Sequence, residues 1–241
     1  MSAVLTLMLI IVLLSLIQSV FGVGLLLFGT PTLLFLGYSY SETLWIVLPA
    51  SLSISLAQLY SHHHLVEAKG NACLYTLLPA MVSLVILLNY EEAWDVTKIV
   101  GSFLIMIGLL RTFKTSMAHL SLFINQNPRY FYLLTGIVHG LSNMGGGPLT
   151  ILMAAIHKNK NSMRVNIAFV YCLFCIMQLS VLAFARPDAF NLNYLLFPPL
   201  SLLVYRVFNA PLMKKVNESK FQNAITFIIL IYGLVSFCNF N

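Results

Sequence analysis

The chain is apolar from end to end, and its apolar stretches are interrupted only by short polar breaks. Runs such as "LTLMLIIVLLSLI" and "NAITFIILIYGLVSF" are apolar on every helical face, unlike the single apolar stripe of a helix in a soluble domain. Only 8% of the 241 residues are charged, where a soluble domain carries about 25%. Mean hydropathy is +0.89. A membrane β-barrel would alternate polar and apolar residues along each strand. The reading is therefore an all-α polytopic membrane protein. The net charge of +6 is spread over short loops, so no nucleic-acid partner is expected. No basic residue precedes the apolar run from Val4, so no cleavable leader is expected either.

Apolar segments fall near 3–21, 25–37, 43–60, 72–88, 97–110, 130–142, 147–156, 165–185, 193–205 and 221–238. The longest hydrophilic connector lies mid-chain. It divides the protein into a first transmembrane repeat (1–115), a connecting loop (116–129) and a second repeat (130–241). Segments 130–142 and 147–156 reach only about 20 and 15 Å as helices, against a hydrocarbon core about 30 Å thick. They either join as one kinked span or return to the face they entered. Lys and Arg favour the cytoplasmic side. If 3–37 and 130–156 each crossed once, the 13 basic residues would divide five against eight. If both return, eleven share one side: Lys69, Arg111, Lys114, Arg129, Lys158, Lys160, Arg164, Arg206, Lys214, Lys215 and Lys220. The other side keeps Lys98 and Arg186, with five of the seven acids. The hairpin reading follows. Each half is then one broken, re-entrant hairpin plus three transmembrane helices, about 8–10 membrane segments in all. The halves become inverted repeats, an architecture of secondary transporters. Setting "GVGLL" (Gly22–Leu26) against "NMGGG" (Asn143–Gly147) also places Ser41 opposite Ser162.

The costly element is "GLSNMGGGPLTIL", with three glycines and a proline inside an apolar run. Irregular backbone at membrane depth must be buried in protein or line a wet cavity. Glycine allows a sharp turn and close approach to a ligand. Pro148 suits the first turn of a following helix, where a missing N–H is no loss. That helix would aim its N-terminal N–H groups and partial positive charge at the break, a ready anion site. The expected substrate-binding set is Gly22, Gly24, His139, Ser142, Asn143, Gly145, Gly146, Gly147 and Asn166. Close helix packing is the competing account of the glycines.

"GLSNMGGGPLTIL" resembles the signature of the TauE/SafE family of sulfite and organosulfonate exporters, also called toluene-sulfonate uptake permeases. The first-half stretch "SVFGVGLLLFGTPTLL" matches it with Gly22, Gly24 and Pro31. The resemblance implies two related halves and transport of small anions such as sulfite, sulfonates or sulfoacetate. Leu25 and Leu26 stand where the pattern has glycines, and Asn143 replaces the first glycine of the second motif. A less open cradle in the first half implies an asymmetric site or a different anion.

Other candidates are weaker. His139 either carries a proton or donates to an anion, or is a neutral ring bonded to a neighbouring helix. His62–His64 read as a solvated helix end. Cys172 and Cys175 share a face inside an apolar span and read as small apolar residues. Gln58, Tyr171 and Gln178 either line a path or join helices, and Arg164 is covered by the charge rule. No Asp or Glu lies mid-span, so a carboxylate proton relay is not expected. Moving a negative charge out of an inside-negative cell gains about 2.3 kcal/mol per 100 mV, which favours export. No cofactor, metal or enzymatic activity is expected. The partners are a small anionic substrate and the lipid bilayer, with proton or sodium coupling and a homodimer left open. The expected location is the plasma (inner) membrane. A passive anion channel and a membrane-embedded haem or metal protein are the alternatives.

Overall fold

A computed structural model describes residues 3–67, 70–91, 93–112, 121–157, 159–215, 226–227 and 229–235. The described chain is helical, in the order α1 (Ala3–Phe21), α2 (Leu25–Phe35), α3 (Tyr40–His62), α4 (Asn71–Asn89), α5 (Val96–Thr112), α6 (Pro128–Ser142), α7 (Gly146–Ile156), α8 (Lys160–Ala185) and α9 (Phe197–Lys215). Residues 121–126 and 229–235 are helical too. The central connector is thus partly helical where it is described, while 113–120 lie outside the described residues. Among the described residues, five helical stretches are long and apolar enough to cross a membrane: Val4–Phe21, Tyr40–Leu65, Cys73–Tyr90, Lys160–Ala185 and Leu192–Leu212. With α2, α5 and α7 as shorter apolar helices, this is an all-α polytopic membrane protein.

The helix ends follow local chemistry. Ser39 caps α3 in a capping box: its side chain accepts from the Glu42 N–H, and Glu42 accepts from the Ser39 N–H. Such boxes satisfy two orphan donors at once. Asn159 caps α8 by accepting from Asn161 and Ser162. Pro128 opens α6 in its first turn, where proline is tolerated. Helix α1 shows which way the faces point. Leu5, Leu9 and Leu13 lie outward and exposed, whereas Ser15, Gln18 and Ser19 are fully buried. Lipid accepts the leucines, and the polar groups find partners only inside the protein.

Both broken segments double back. A Cβ built on Gly24 would lie 2.7 Å from Gln18 N and 2.9 Å from Leu14 O, and one on Gly29 would meet the Leu14 side chain. The chain after Gly22 therefore returns along α1. The second break behaves likewise, because its two ends lie at one end of the bundle. The Arg129 guanidinium sits over the ring of Tyr75 in the first turns of α4, 5.7 Å from its centroid. After α7, His157 lies 3.6 Å from Glu67, which precedes α4. Segment 128–157 thus leaves that end and returns to it. At the opposite end, Ser41 donates to Glu91 from both its N–H and its hydroxyl, at 2.9 and 2.7 Å. Arg186 Nε lies 3.7 Å from Glu91 Oε2.

A constant spacing runs through this arrangement. Gly22 and Asn143 are 121 positions apart, and both end a helix with left-handed backbone, φ 73° and 60°. Each donates its N–H to the residue four before it, Gln18 O and His139 O. Helices α2 and α7 begin at Leu25 and Gly146 and end at Phe35 and Ile156, on the same spacing. Packing pairs up too. Helix α1 lies on α9 as α6 lies on α4, α2 lies on α3 as α7 lies on α8, and α3 crosses α8 between them. Trp45 Nε1 donates to Arg186 O, and Asn166 Nδ2, 121 positions on, donates to Leu65 O, 121 positions back.

Candidate functional site

The second break is built from α6, α7 and α8. Asn143 takes the left-handed conformation that ends α6, a backbone asparagine tolerates better than most residues. Met144 and Gly145 turn the chain, and α7 starts at Gly146. The first N–H groups of a helix lack intrahelical partners; here Gly147 N–H bonds to Met144 O at 3.1 Å and Pro148 has none, so Gly145 and Gly146 are the donors left at the turn. Three side chains surround it. The Tyr171 hydroxyl lies 1.8 Å from where a Gly146 Cβ would sit. His139 Nδ1 lies 3.0 Å from the corresponding point on Gly145. Gln178 Oε1 lies 3.0 Å from His139 Nε2. A glutamine carbonyl only accepts, so Nε2 carries the hydrogen and Nδ1 is the open nitrogen. Phe174 holds the imidazole from one face, ring on ring at 3.7 Å and 19°.

His139, Asn143, Tyr171 and Gln178 have no accessible surface. Each nevertheless has a polar atom without a hydrogen-bond partner: His139 Nδ1, Asn143 Oδ1, the Tyr171 hydroxyl and Gln178 Nε2. An unmade bond of this kind leaves about 1–3 kcal/mol of desolvation uncompensated. Two of the four, the Tyr171 hydroxyl and Gln178 Nε2, are donors, while His139 Nδ1 and Asn143 Oδ1 only accept. At the helix terminus the Tyr171 hydroxyl is the donor an anion would satisfy, and the two acceptors need a hydrogen from water or from a protonated guest.

The first break meets the second through a hydrogen bond from Asn143 Nδ2 to Thr30 Oγ1 on α2, 3.0 Å long. Gly22 and Gly24 lie at the first break. Gly22 packs against the Arg164 side chain and Ile167, and Gly24 against the α1 backbone. Arg164 is mostly buried. It donates to Ser19 O at the end of α1 and, at 2.6 Å, to Asn209 Oδ1. A cleft of about 460 Å³ opens at the other end of the bundle, beside Ser41, Glu91, Asp95 and Arg186.

The sequence-derived set is thus brought together in part. His139, Asn143, Gly145 and Gly146 meet at one point. Gly147 is pressed against Ile107 of α5. Ser142 spends its hydroxyl hydrogen on Val138 O, at 2.6 Å. Asn166 stands nearer the end of the bundle, where it ties α8 to Leu65 and Glu67. Tyr171 and Gln178 were read only as polar positions in a span, and Gln18, Thr30 and Ser51 went unremarked. Gln18 carried a usable signal, because the spacing that aligns the breaks sets it opposite His139.

A polytopic helical membrane protein with paired helix breaks and a buried polar centre is the class these observations define. A family model described as Sulfite exporter TauE/SafE matches residues 7–236, nearly the whole chain, and the protein belongs to that family. It is a family of transporters, and a small anionic substrate follows from membership. No curated protein and no solved structure matches the chain.

Proposed function

We propose that this protein is a secondary transporter that exports small oxyanions, sulfite, sulfonates or sulfoacetate among them, across the plasma membrane. The observation that carries this reading is the buried start of α7, where the Tyr171 hydroxyl stands against Gly146 as an unpartnered donor, with the unpartnered donor Gln178 Nε2 behind His139. Helix dipole and free N–H groups favour a negative guest there, and hydroxyl and amide donors complete its coordination. The paired packing and the spacing of 121 residues support two inverted repeats whose breaks meet at the bilayer midplane. Reaching a cluster with no accessible surface from either side requires the helices around it to part. That favours alternating access over a passive channel. An outward-moving anion is driven by the inside-negative potential and needs no coupling ion.

The test is flux in proteoliposomes loaded with sulfite, methanesulfonate or sulfoacetate. Saturable efflux of at least one is expected, with Tyr171→Phe slowing it by about ten-fold, the equivalent of one hydrogen bond to a charged guest. Absence of flux for every small anion, in both directions, would overturn the reading.

A further inference from the structure

The two helix breaks share a backbone plan but differ in what fills it, and we infer that only the second binds an anion, while in the first the side chain of Gln18 supplies the guest from within. This inference rests on the anion reading above and adds the number and location of its sites.

The equivalence of the breaks lies in their spacing and in how the first helix ends, not in every backbone angle: Gly24 has φ 171° and ψ −66°, Gly145 φ −55° and ψ −17°. Gly22 and Asn143 end their helices the same way. Gly24 and Gly145 each open the next helix, accepting from Phe28 N and Leu149 N, both at 2.9 Å. Gly24 packs against the main chain of Gln18, and Gly145 against the side chain of His139, 121 positions on. Gln18 and His139 therefore hold the same place relative to the helix that follows.

Their bonding differs. In the first break the Leu25 N–H, at the start of α2, donates to Gln18 Oε1 at 3.2 Å. A carbonyl oxygen thus stands where an anion's oxygen would. The rest of that amide is committed: Nε2 donates to Ser51 Oγ at 2.9 Å and to Ser51 O at 3.2 Å, and the Ser51 hydroxyl also lies 3.2 Å from Oε1. Leu25 and Leu26 fill the space beside it, fully buried. In the second break an imidazole replaces the amide. Its open Nδ1 is also an acceptor, but it takes no N–H of α7, and glycines occupy the positions of both leucines. Four buried polar atoms stay unpartnered there; beside the first break Ser15 Oγ, Gln58 Oε1 and Arg164 Nε do too, but the Gln18 amide, which faces the start of α2, is bonded at both its atoms. A small oxyanion fits the second arrangement, its oxygens accepting from the Gly145 and Gly146 N–H groups and the Tyr171 hydroxyl.

The experiment is calorimetric titration of the full-length protein in detergent with sulfite, which needs no variant for its first readout. One sulfite per chain is expected, and two per chain would overturn the inference. His139→Gln installs in the second break the residue found in the first. If a glutamine amide fills such a break, His139→Gln weakens sulfite binding by about ten-fold or more, and by more than His139→Ala does. A residue that only packs would give the reverse order, since Gln keeps a polar bond to Gln178 and Ala leaves a hole. The reverse order in monodisperse, cooperatively melting variants therefore also overturns the inference. Wild-type protein that binds no sulfite, sulfonate or other small anion would instead remove the anion reading, and this inference with it.

Discussion

Gly146 and Tyr171 decide how tightly the second break can close. The phenol oxygen lies so near Gly146 that a methyl group there would sit 1.8 Å from the oxygen and 3.0 Å from ring atom Cζ. Gly146→Ala should destabilise the protein by about 1–3 kcal/mol, the usual range for an overpacked core. Tyr171→Phe in the same chain should recover most of that loss, because it removes the colliding atom and leaves the ring. Thermal unfolding of both singles and the double in detergent checks this, and additive effects would show that the two residues do not press on each other. The glycine was legible as a feature of the sequence. Its partner was not, because Tyr171 lies 25 positions away in a span where a tyrosine has many places to point.

Glycine has another use in α6, where "GIVHG" places Gly136 and Gly140 one turn apart. Cβ atoms there would lie 2.3 Å from Thr76 O and 2.3 Å from Ala80 O of α4. The obstacle is backbone and cannot rotate away. Small residues that let helices approach closely are a general device of membrane interiors. Gly136→Ala should force α4 and α6 apart and lower the melting temperature in detergent, with a loss of about 1–3 kcal/mol. An unchanged melting temperature would mean that the two helices do not approach this closely. Helix α5 rests on a different contact. Asp95 precedes it, accepts from the Lys98 N–H at 3.0 Å and pairs with the Lys98 ammonium at 2.9 Å. These bonds, led by that of the Lys98 side chain, hold its carboxyl below the usual value. A carboxyl lowered on folding lends stability above its unfolded pKa and loses it as the pH falls through the folded value. Asp95→Ala should therefore cost about 1 kcal/mol at neutral pH, a typical helix-cap loss, and the difference should vanish once acid protonates the carboxyl. Melting curves of both proteins at pH 7 and in acid measure it.

For the whole molecule, the placement of its ends makes a prediction about sidedness. Glu67 and His157 meet at one end of the bundle, and Ser41, Glu91 and Arg186 at the other. Two straight spans in place of the hairpins would put Glu67 and His157 on opposite faces of a membrane. Single cysteines at Glu67 and Asn161, in a background without native cysteines, should be labelled by an impermeant reagent from the cytoplasmic face only. Cysteines at Asp188 and Asp95 should be labelled from the outer face only. Labelling of the first pair from different faces would exclude the hairpin arrangement. The charge count predicts the same sidedness, because lysine and arginine record the side of the membrane on which a loop is left.

By itself the sequence determined the solvent and the segments. With so little charge and apolar residues on every helical face, lipid is the only surrounding that the chain can tolerate. Glycine and proline cannot sit mid-helix without a reason, which located the second break to within a residue or two. Only the tertiary structure decided what each polar residue does. Asn166 bonds to Leu65 and Glu67, Ser142 bonds back to its own helix, and Gln18 accepts from the first N–H of α2. The reason is that in an apolar chain a buried polar group must be satisfied, and its partner lies on another helix, at a distance along the chain that no local pattern records.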